Sequence, residues 1–286
     1  MVELKVPAGA GRVARYLLKK FPNLHYSAVH KALREKDIKL NGKRLVDDIS
    51  LLEGDILQVY LPDSVVYGRK TPDIAYEDQN LIVVNKGISV EVVGSGDTLQ
   101  SQVSDYLGSS VFACHRLDAR TGGLVVFAKN KMAYSEMLRA FRQREIEKRY
   151  LCIIKGRPSC TKGTLNSYLI KDSRRNTVKI FDKQVQGAVP ISTNYQIISS
   201  KDDYSLAEVE LTTGRTHQIR AHLAHIGHPL LGDDKYGNRS FNKKYNVHNQ
   251  ALWAVRIRFM LPKKSRLSYL NNHTITTANY TFPVAL

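Results

Sequence analysis

Hydrophobic residues in the first part of the chain repeat first with the spacing of helices and then with that of strands. The two apolar helical faces consist of Val13, Leu17 and Phe21, and of Val29, Ala32 and Leu33. Pro22-Asn23 separates the two predicted helices. Asn41-Gly42 is a strong hairpin signal, and residues 56–60 have the pattern of a closing strand.

Beyond residue 72, apolar runs predict strands and amphipathic stretches predict helices. The strands are expected near residues 81–85, 124–129, 150–155, 205–211 and 252–260. The apolar helical stripes are Tyr134, Met137, Leu138 and Phe141, and Ile219, Leu223 and Ile226. Because strands and helices do not alternate as in a doubly wound sheet, we predict an α+β domain with a mixed, largely antiparallel sheet.

The stretch between these two regions has no hydrophobic periodicity and contains Gly68-Arg69-Lys70. We interpret it as a linker. A chain of 286 residues is long enough for two compact domains. The predicted organisation is a small N-terminal α/β domain over residues 1–62, a linker over 63–72 and the α+β domain over 73–286.

The net charge of the chain is strongly positive. There are 43 Lys and Arg residues against 26 Asp and Glu, which leaves a formal charge of +17. Residues 1–64 hold 11 basic and 8 acidic side chains, so most of the excess lies further on. No acidic residue occurs from residue 235 to the end, and basic and aromatic residues interleave in 139–150, 171–183 and 235–245. This pattern favours RNA as the partner.

Cysteine content and hydropathy bear on the compartment. The three cysteines form no CxxC pair and no signal peptide precedes them, which argues against a disulfide framework. The longest apolar runs, 81–84 and 124–128, are far shorter than the roughly 20 residues of a membrane span. We therefore expect a cytoplasmic protein with no membrane partner.

The densest polar cluster covers residues 114–123, directly before a predicted strand. Arg116 and Arg120 are suited to phosphate, and Asp118 is the sole carboxylate in residues 106–135. A loop that leads into a strand is a good position for a catalytic group. A structural Arg–Asp pair that braces a turn is the alternative, and the residues taken alone favour it.

A second polar cluster opens the last predicted helix. It contains Arg215, His217, Gln218 and Arg220, and Thr216 is the candidate N-cap. Free backbone N–H groups at such a helix start are suited to phosphate. A solvated basic helix face is the alternative interpretation.

Other chemistries lack a signal in the sequence. His217, His222, His225 and His228 have no third ligand at zinc spacing, so we expect them to be structural or to face phosphate. The chain contains no GxSxG elbow, P-loop or GxGxxG motif. Hydrolase, NTPase and dinucleotide-dependent functions are therefore not indicated.

Three segments in the same order resemble the motifs of RluA-type pseudouridine synthases. Residues 115–124 resemble the HRLDxxTSGL signature, 148–151 resemble the KxY strand, and 214–233 resemble the third motif. Residues 11–61 are similar to the small RNA-binding domain first known from ribosomal protein S-four. The resemblance implies the pseudouridine synthase fold and covers nearly the whole chain.

This resemblance implies isomerisation of uridine to pseudouridine within RNA, with no cofactor and no metal. Asp118 would be the catalytic carboxylate, and Tyr150 would stack on the uracil. Arg220 would pair with Asp118 and keep it ionised. Arg116 would fill the space that the flipped base vacates. The other residues implied in RNA contact are Arg120, Arg215, His217 and Gln218.

Two segments depart from the family pattern. Gly122 stands where Ser is usual, beside the catalytic loop, and residues 85–90 lack the usual proline and histidine in a segment we take to be peripheral. The resemblance favours large-subunit ribosomal RNA as substrate, leaves transfer RNA open and suggests a monomer. A non-catalytic ribosomal RNA-binding factor is the alternative from another class, and the joint presence of Asp118, Tyr150 and Arg220 argues against it.

Overall fold

The computed structural model describes residues 1–61, 63–66 and 71–284. The chain divides into two compact units, Met1–Thr71 and Pro72–Leu286. Each unit has an apolar core of its own.

The first unit contains a four-stranded antiparallel sheet in the order β1-β4-β2-β3. Its elements are β1 (Val2–Lys5), α1 (Val13–Lys20), α2 (Tyr26–Arg34), β2 (Ile38–Leu40), β3 (Lys43–Arg44) and β4 (Ile56–Val59). Asn41 and Gly42 both have positive φ, as the tight hairpin between β2 and β3 requires. The two predicted helices, the hairpin and the closing strand are thus confirmed, whereas β1 was not predicted.

The segment interpreted as a linker begins with structure of its own. A short helix, α3 (Asp63–Val66), occupies its start, and Val66 is buried in the core of the first unit. The predicted boundary at residue 62 therefore falls too early, because an apolar contact ties this helix to the first unit. Residues 67–70 of the predicted linker lie outside the described residues.

The second unit is organised by one large sheet. Its strands are β5 (Ile74–Glu77), β6 (Leu81–Lys86), β7 (Phe112–Ala113), β8 (Gly122–Ala128), β9 (Ile146–Lys155), β10 (Lys162–Asp172), β11 (Thr177–Phe181), β12 (Val189–Lys201), β13 (Tyr204–Leu211), β14 (Leu252–Phe259) and β15 (Thr274–Thr276). Its helices are α4 (Leu99–Leu107), α5 (Lys131–Arg142), α6 (Gln218–His225), α7 (Arg239–Lys244) and a 3₁₀ turn (Ser268–Leu270).

The strand order is β11-β10-β12-β13-β9-β14-β8-β6-β5, with β15 paired to β14 and β7 to β8. Of the pairs in the part of the chain that the structure describes, β8 with β14 is parallel and the rest are antiparallel. The predicted α+β fold with a mixed, largely antiparallel sheet is confirmed.

Strands β6 and β8 are buried along their whole length and carry apolar side chains on both faces. Side chains alternate along a strand, so Ile82 and Phe127 enter one core while Leu81 and Val126 enter another. Helix α5 covers the second core. Helices α4 and α6 cover the first. This sandwich fixes the loop between β7 and β8 against the start of α6.

Candidate active site

Three separate elements bring Asp118, Tyr150 and Arg220 to one cavity of about 350 Å³. Asp118 lies in the loop between β7 and β8, Tyr150 lies on β9, and Arg220 lies on α6. Strand β14 separates β8 from β9 in the sheet, so the loop and the tyrosine belong to neighbouring parts of one surface.

Arg220 is buried and every arm of its guanidinium has an acceptor. Nη1 donates to Asp118 Oδ2 at 3.0 Å. Nε and Nη2 donate to Asp233 at 2.7 and 2.9 Å, and Nη2 lies 3.3 Å from Asp234 Oδ1. The two-point contact with Asp233 fixes the plane of the guanidinium, so the arm that meets Asp118 has a set direction.

Asp233 is the partner that sequence reasoning missed. Its carboxylate also accepts the backbone N–H groups of Lys235 and Tyr236 at 2.9 and 3.0 Å. Burial alone would raise the pKa of Asp233, but the bonds and charge of Arg220 and these two N–H groups hold it below its usual value. Asp233 follows Arg220 by 13 residues across a turn, so no helical spacing links the pair. Its place in the third motif was the available signal.

The loop between β7 and β8, which carries Asp118, rests on a buried lysine. Lys86 is fully buried, and its Nζ donates to the backbone carbonyls of Gly87, Val90 and Ala119 at 2.9 Å each. Burial lowers the pKa of Lys86 to about 8, against the opposing charge of Asp118. Since Ala119 adjoins Asp118, our view of residues 85–90 as peripheral was wrong: this segment contacts the loop that carries Asp118.

The two departures from the family pattern, Gly122 and residues 85–90, both contact the indole ring of Trp253. A Cβ atom on Gly122 would lie 2.5 Å from ring atoms of Trp253, so the indole occupies the space that a serine would need. Trp253 Nε1 in turn donates to Asn85 Oδ1 at 3.2 Å. Gly122 is therefore explained by packing against Trp253.

Tyr150 forms a buried wall of the cavity. Burial, and after it the charge of Asp118, raise the pKa of its phenol well above the usual range. The ring therefore stays protonated and neutral at physiological pH.

His217 lies near Asp118 and Tyr236 and adopts a left-handed φ of 52° directly before α6. Its Nε2 is 3.8 Å from Asp118 Oδ2, and its Nδ1 is 3.0 Å from the hydroxyl of Tyr236. Burial lowers the pKa of His217, against the charge of Asp118. The prediction that Thr216 caps the helix was wrong, because the helix begins one residue later and has no side-chain cap.

The side-chain amide of Gln218, a residue predicted to contact RNA, is bonded within the protein. Its amide is buried and donates to Ser192 and Thr193 at 3.0 Å. Its Oε1 accepts from the hydroxyl of Thr213 and the backbone N–H of Arg215. Because the amide is fully engaged, Gln218 orients the loop that carries Arg215.

The remaining predicted arginines stand at the entrance of the site. Arg116 and Arg215 are exposed and line both the catalytic cavity and an adjoining one of about 490 Å³. Arg120 also lines the second cavity and donates to Asp234 at 2.9 Å.

The other histidines of the predicted cluster are engaged with protein groups. Buried His222 lies within 3.2 Å of the hydroxyls of Thr193 and Ser167, and burial lowers its pKa to about 4. His225 meets Asp182 at 2.7 Å, and His228 meets a backbone carbonyl at 2.8 Å.

Residues 1–61, 63–66 and 71–284 contain no group of three potential ligands that could hold a metal ion. No helix within these ranges has the length and apolar character to cross a bilayer.

Comparisons with known proteins identify the family of this chain. A family profile described as RNA pseudouridylate synthase matches residues 80–225. Ribosomal large subunit pseudouridine synthase C of Rickettsia conorii is 30% identical over 84% of this chain and 86% of its own. An uncharacterized RNA pseudouridine synthase of Bacillus subtilis, YhcT, is 32% identical over 80% of this chain and 79% of its own.

Among solved structures, human RNA Pseudouridylate Synthase Domain Containing 1 matches with a TM-score of 0.58 and 27% identity. The match covers 73% of this chain and 91% of that one. The chain therefore belongs to the RNA pseudouridylate synthase family. It is an isomerase that forms pseudouridine.

Proposed function

We propose that the protein converts uridines of large-subunit ribosomal RNA to pseudouridine, with Asp118 as the catalytic carboxylate. The observation that carries the proposal is the 3.0 Å bond from Arg220 to Asp118 inside a cavity that Tyr150 also lines. The buried guanidinium aims the carboxylate before substrate arrives, as electrostatic preorganisation requires.

The reaction rearranges one nucleotide and consumes nothing. The N1–C1′ bond breaks, and Asp118 bonds to C1′, adds to the base or takes the proton of C2′. By the end of the reaction the bond to Asp118 has broken again, or the proton has returned to C2′. The uracil then turns in the cavity, C5 bonds to C1′, and the proton lost from C5 is balanced by one gained at N1. We assign Tyr150 to stacking on the uracil, because its neutral buried ring offers a flat wall to the base.

The target base must leave its stack to reach Asp118, at a cost of about a few kcal/mol. We assign Arg116 to the vacated position, because it is exposed at the entrance of the cavity. Basic side chains in the second cavity would then hold the flanking phosphates. They are Arg120, Lys171, Arg215 and Lys235.

The choice of substrate rests on the relatives. The Rickettsia relative is named for the ribosomal large subunit. Transfer RNA is the alternative substrate. The same proposal places the protein in the cytoplasm as a monomer.

We also propose that the first unit is an S-four-like RNA-binding domain. Its two helices and its hairpin fall within the residues of that resemblance. We therefore expect residues 72–286 to convert a minimal stem-loop, with weaker binding to long RNA than the full chain shows. Loss of activity on every substrate would assign the first unit to the catalytic fold.

The proposal is tested by incubating the full chain with transcripts of large-subunit ribosomal RNA and of transfer RNA and mapping pseudouridines chemically. Conversion of the ribosomal transcript alone is expected, with Asp118→Asn as the inactive control. Conversion of transfer RNA alone would replace the substrate. Tight binding to ribosomal RNA without any conversion would favour the binding factor.

A further inference from the structure

Lys148 is a second charged group on the wall of the catalytic cavity. It lies on β9 two residues before Tyr150, and side chains two apart on a strand share a face. Both residues line the cavity. The mechanism above gives Lys148 no task.

The Lys148 ammonium has no acidic partner within 4.0 Å among the described residues. The ammonium makes a cation–π contact with Phe141, whose ring centre lies 5.5 Å from Nζ. Burial lowers the pKa of Lys148, and no neighbouring charge opposes that effect. An ammonium placed in this way costs folding free energy that a ligand could recover.

The residues around Lys148 leave it room and do not neutralise it. A Cβ atom on Gly214 would lie 3.2 Å from Nζ, so the glycine keeps this space open. Burial, and then the charge of Lys148, lower the pKa of His115 to about 3. His115 is therefore neutral, and its Nε2 accepts the N–H of Val126 at 3.1 Å.

We propose that Lys148 donates a hydrogen bond to a carbonyl oxygen of the flipped uracil and stabilises the negative charge that the base gains as N1–C1′ breaks. The electron pair of that bond stays on the uracil and spreads onto its carbonyl oxygens. The charge disappears again when that electron pair forms the C5–C1′ bond, and the proton that C5 then loses is matched by the one that N1 gains. This inference rests on the proposed function of the same cavity.

A base oxygen suits Lys148 better than a phosphate does. Arg116 and Arg215 are exposed at the cavity entrance, where the strongly hydrated RNA backbone can meet them. Lys148 stands beside Tyr150, the residue assigned to the base itself. The position on β9 thus pairs a stacking surface with a hydrogen-bond donor.

The first test is Lys148→Met, with exposed Lys131→Met on α5 as the matched control for loss of a lysine charge. At saturating RNA the single-turnover rate should fall by about 10²–10³, the usual effect of removing one donor to a developing anion. RNA affinity should stay within about twofold, since phosphate contacts dominate binding. The melting temperature should stay level or rise, because a half-buried charge without an acidic partner is lost.

The second test locates the oxygen. Substrates carrying 4-thiouridine or 2-thiouridine at the target position replace one carbonyl oxygen by sulfur, a weaker acceptor. At the oxygen that Lys148 contacts, sulfur should slow the wild type and leave the Met variant unaffected, because the two changes remove one interaction. Gly214→Ala should reproduce part of the defect, since its methyl group would press on the ammonium.

The outcomes are separable. A Met variant that turns over like wild type overturns the role of Lys148 while the function stands. A weaker affinity with a salt slope flatter by about 0.7 would assign Lys148 to a phosphate and overturn the contact with the base. If the rate losses from Lys148→Met and from each of the two thio substrates multiply, the contact between Lys148 and the base is likewise overturned. Absence of pseudouridine with the wild type itself would instead refute the proposed function.

Discussion

Arg220 and Lys148 place positive charge at one cavity in two different ways. Arg220 meets three carboxylates, those of Asp118, Asp233 and Asp234, in the free protein. Lys148 meets an aromatic ring and no carboxylate among the described residues. A charge that is already paired keeps its partner side chains in fixed positions, because moving it would break hydrogen bonds within the protein. A charge without a partner keeps its bonding capacity for the substrate.

The largest effect is expected from breaking the ion pair between Arg220 and Asp118. Asp118→Asn should abolish product while RNA affinity stays nearly unchanged, because the lost charge acts on the reacting nucleotide and binding rests on phosphate contacts. Single-turnover assays and filter binding measure the two quantities. Residual turnover above a tenth of wild type would contradict the role of Asp118.

Arg220→Ala should be nearly as inactive, and the double variant with Asp118→Asn little worse than either, since residues that act as a unit are not additive. The rates of the three variants form the measurement. Losses that multiply would mean that Arg220 acts on the RNA and not through Asp118.

Asp233→Asn tests the buried half of the same network. Removing one partner of a buried ion pair should cost about 3–5 kcal/mol of unfolding free energy, because the Arg220 charge loses its two-point partner. The folded-state pKa of Asp233 lies below its ordinary value of 3.8, so its stabilisation is complete above that pH. It is lost as the pH falls through the lowered pKa.

Denaturant unfolding of wild type and Asp233→Asn at several pH values checks this. The difference between them should be largest at neutral pH and should shrink below about pH 3.8. A difference that grows on acidification would show that the carboxylate is not the stabilising form.

Restoring the usual family residue should have a smaller effect. Gly122 does not have a left-handed φ, so its backbone accepts Ser, but the new Cβ would press on Trp253. Gly122→Ser should cost about 1–3 kcal/mol of stability, as overpacking does. Trp253→Leu should relieve that cost, so a double-variant cycle of melting temperatures should show strong coupling. Additive losses would rule out the clash with the indole.

The smallest effect is expected from a paired and an unpaired lysine at the protein surface. Lys244 pairs with Asp203 at 2.8 Å, whereas Lys243 is exposed and has no acidic partner among the described residues. Lys243→Ala should flatten the slope of log affinity against log salt by about 0.7 if it contacts phosphate, and Lys244→Ala by less. The effect should be equal for cognate and scrambled RNA. Unchanged slopes would make both lysines solubilising charges.

The sequence predicted the parts of the fold that depend on local pattern. Buried strands such as β6 and β8 are apolar at nearly every position, and α5 has a clear helical stripe. Strands β10 and β12 were missed, because much of their length faces solvent and their sequence is mostly polar. The polar stretch 171–183, interpreted as an RNA-contacting run, belongs to the hairpin of β10 and β11.

For the site, family motifs brought Asp118, Tyr150 and Arg220 forward, and the structure places all three in one cavity. The motifs did not predict which contacts these residues make. Asp233, the main partner of Arg220, and Gln218, whose amide is used up inside the protein, depend on tertiary contacts. Composition and spacing hold no trace of such contacts.

The contact between Gly122 and Trp253 also gives the protein an intrinsic optical reporter. Trp253 is the sole tryptophan of the chain, and its indole packs on Gly122, directly after the loop that carries Asp118, and donates to Asn85. Its fluorescence emission therefore arises from one place, beside the active site. Movement of that loop when RNA binds should shift or quench this emission, so loop rearrangement can be timed in the native protein without an attached dye.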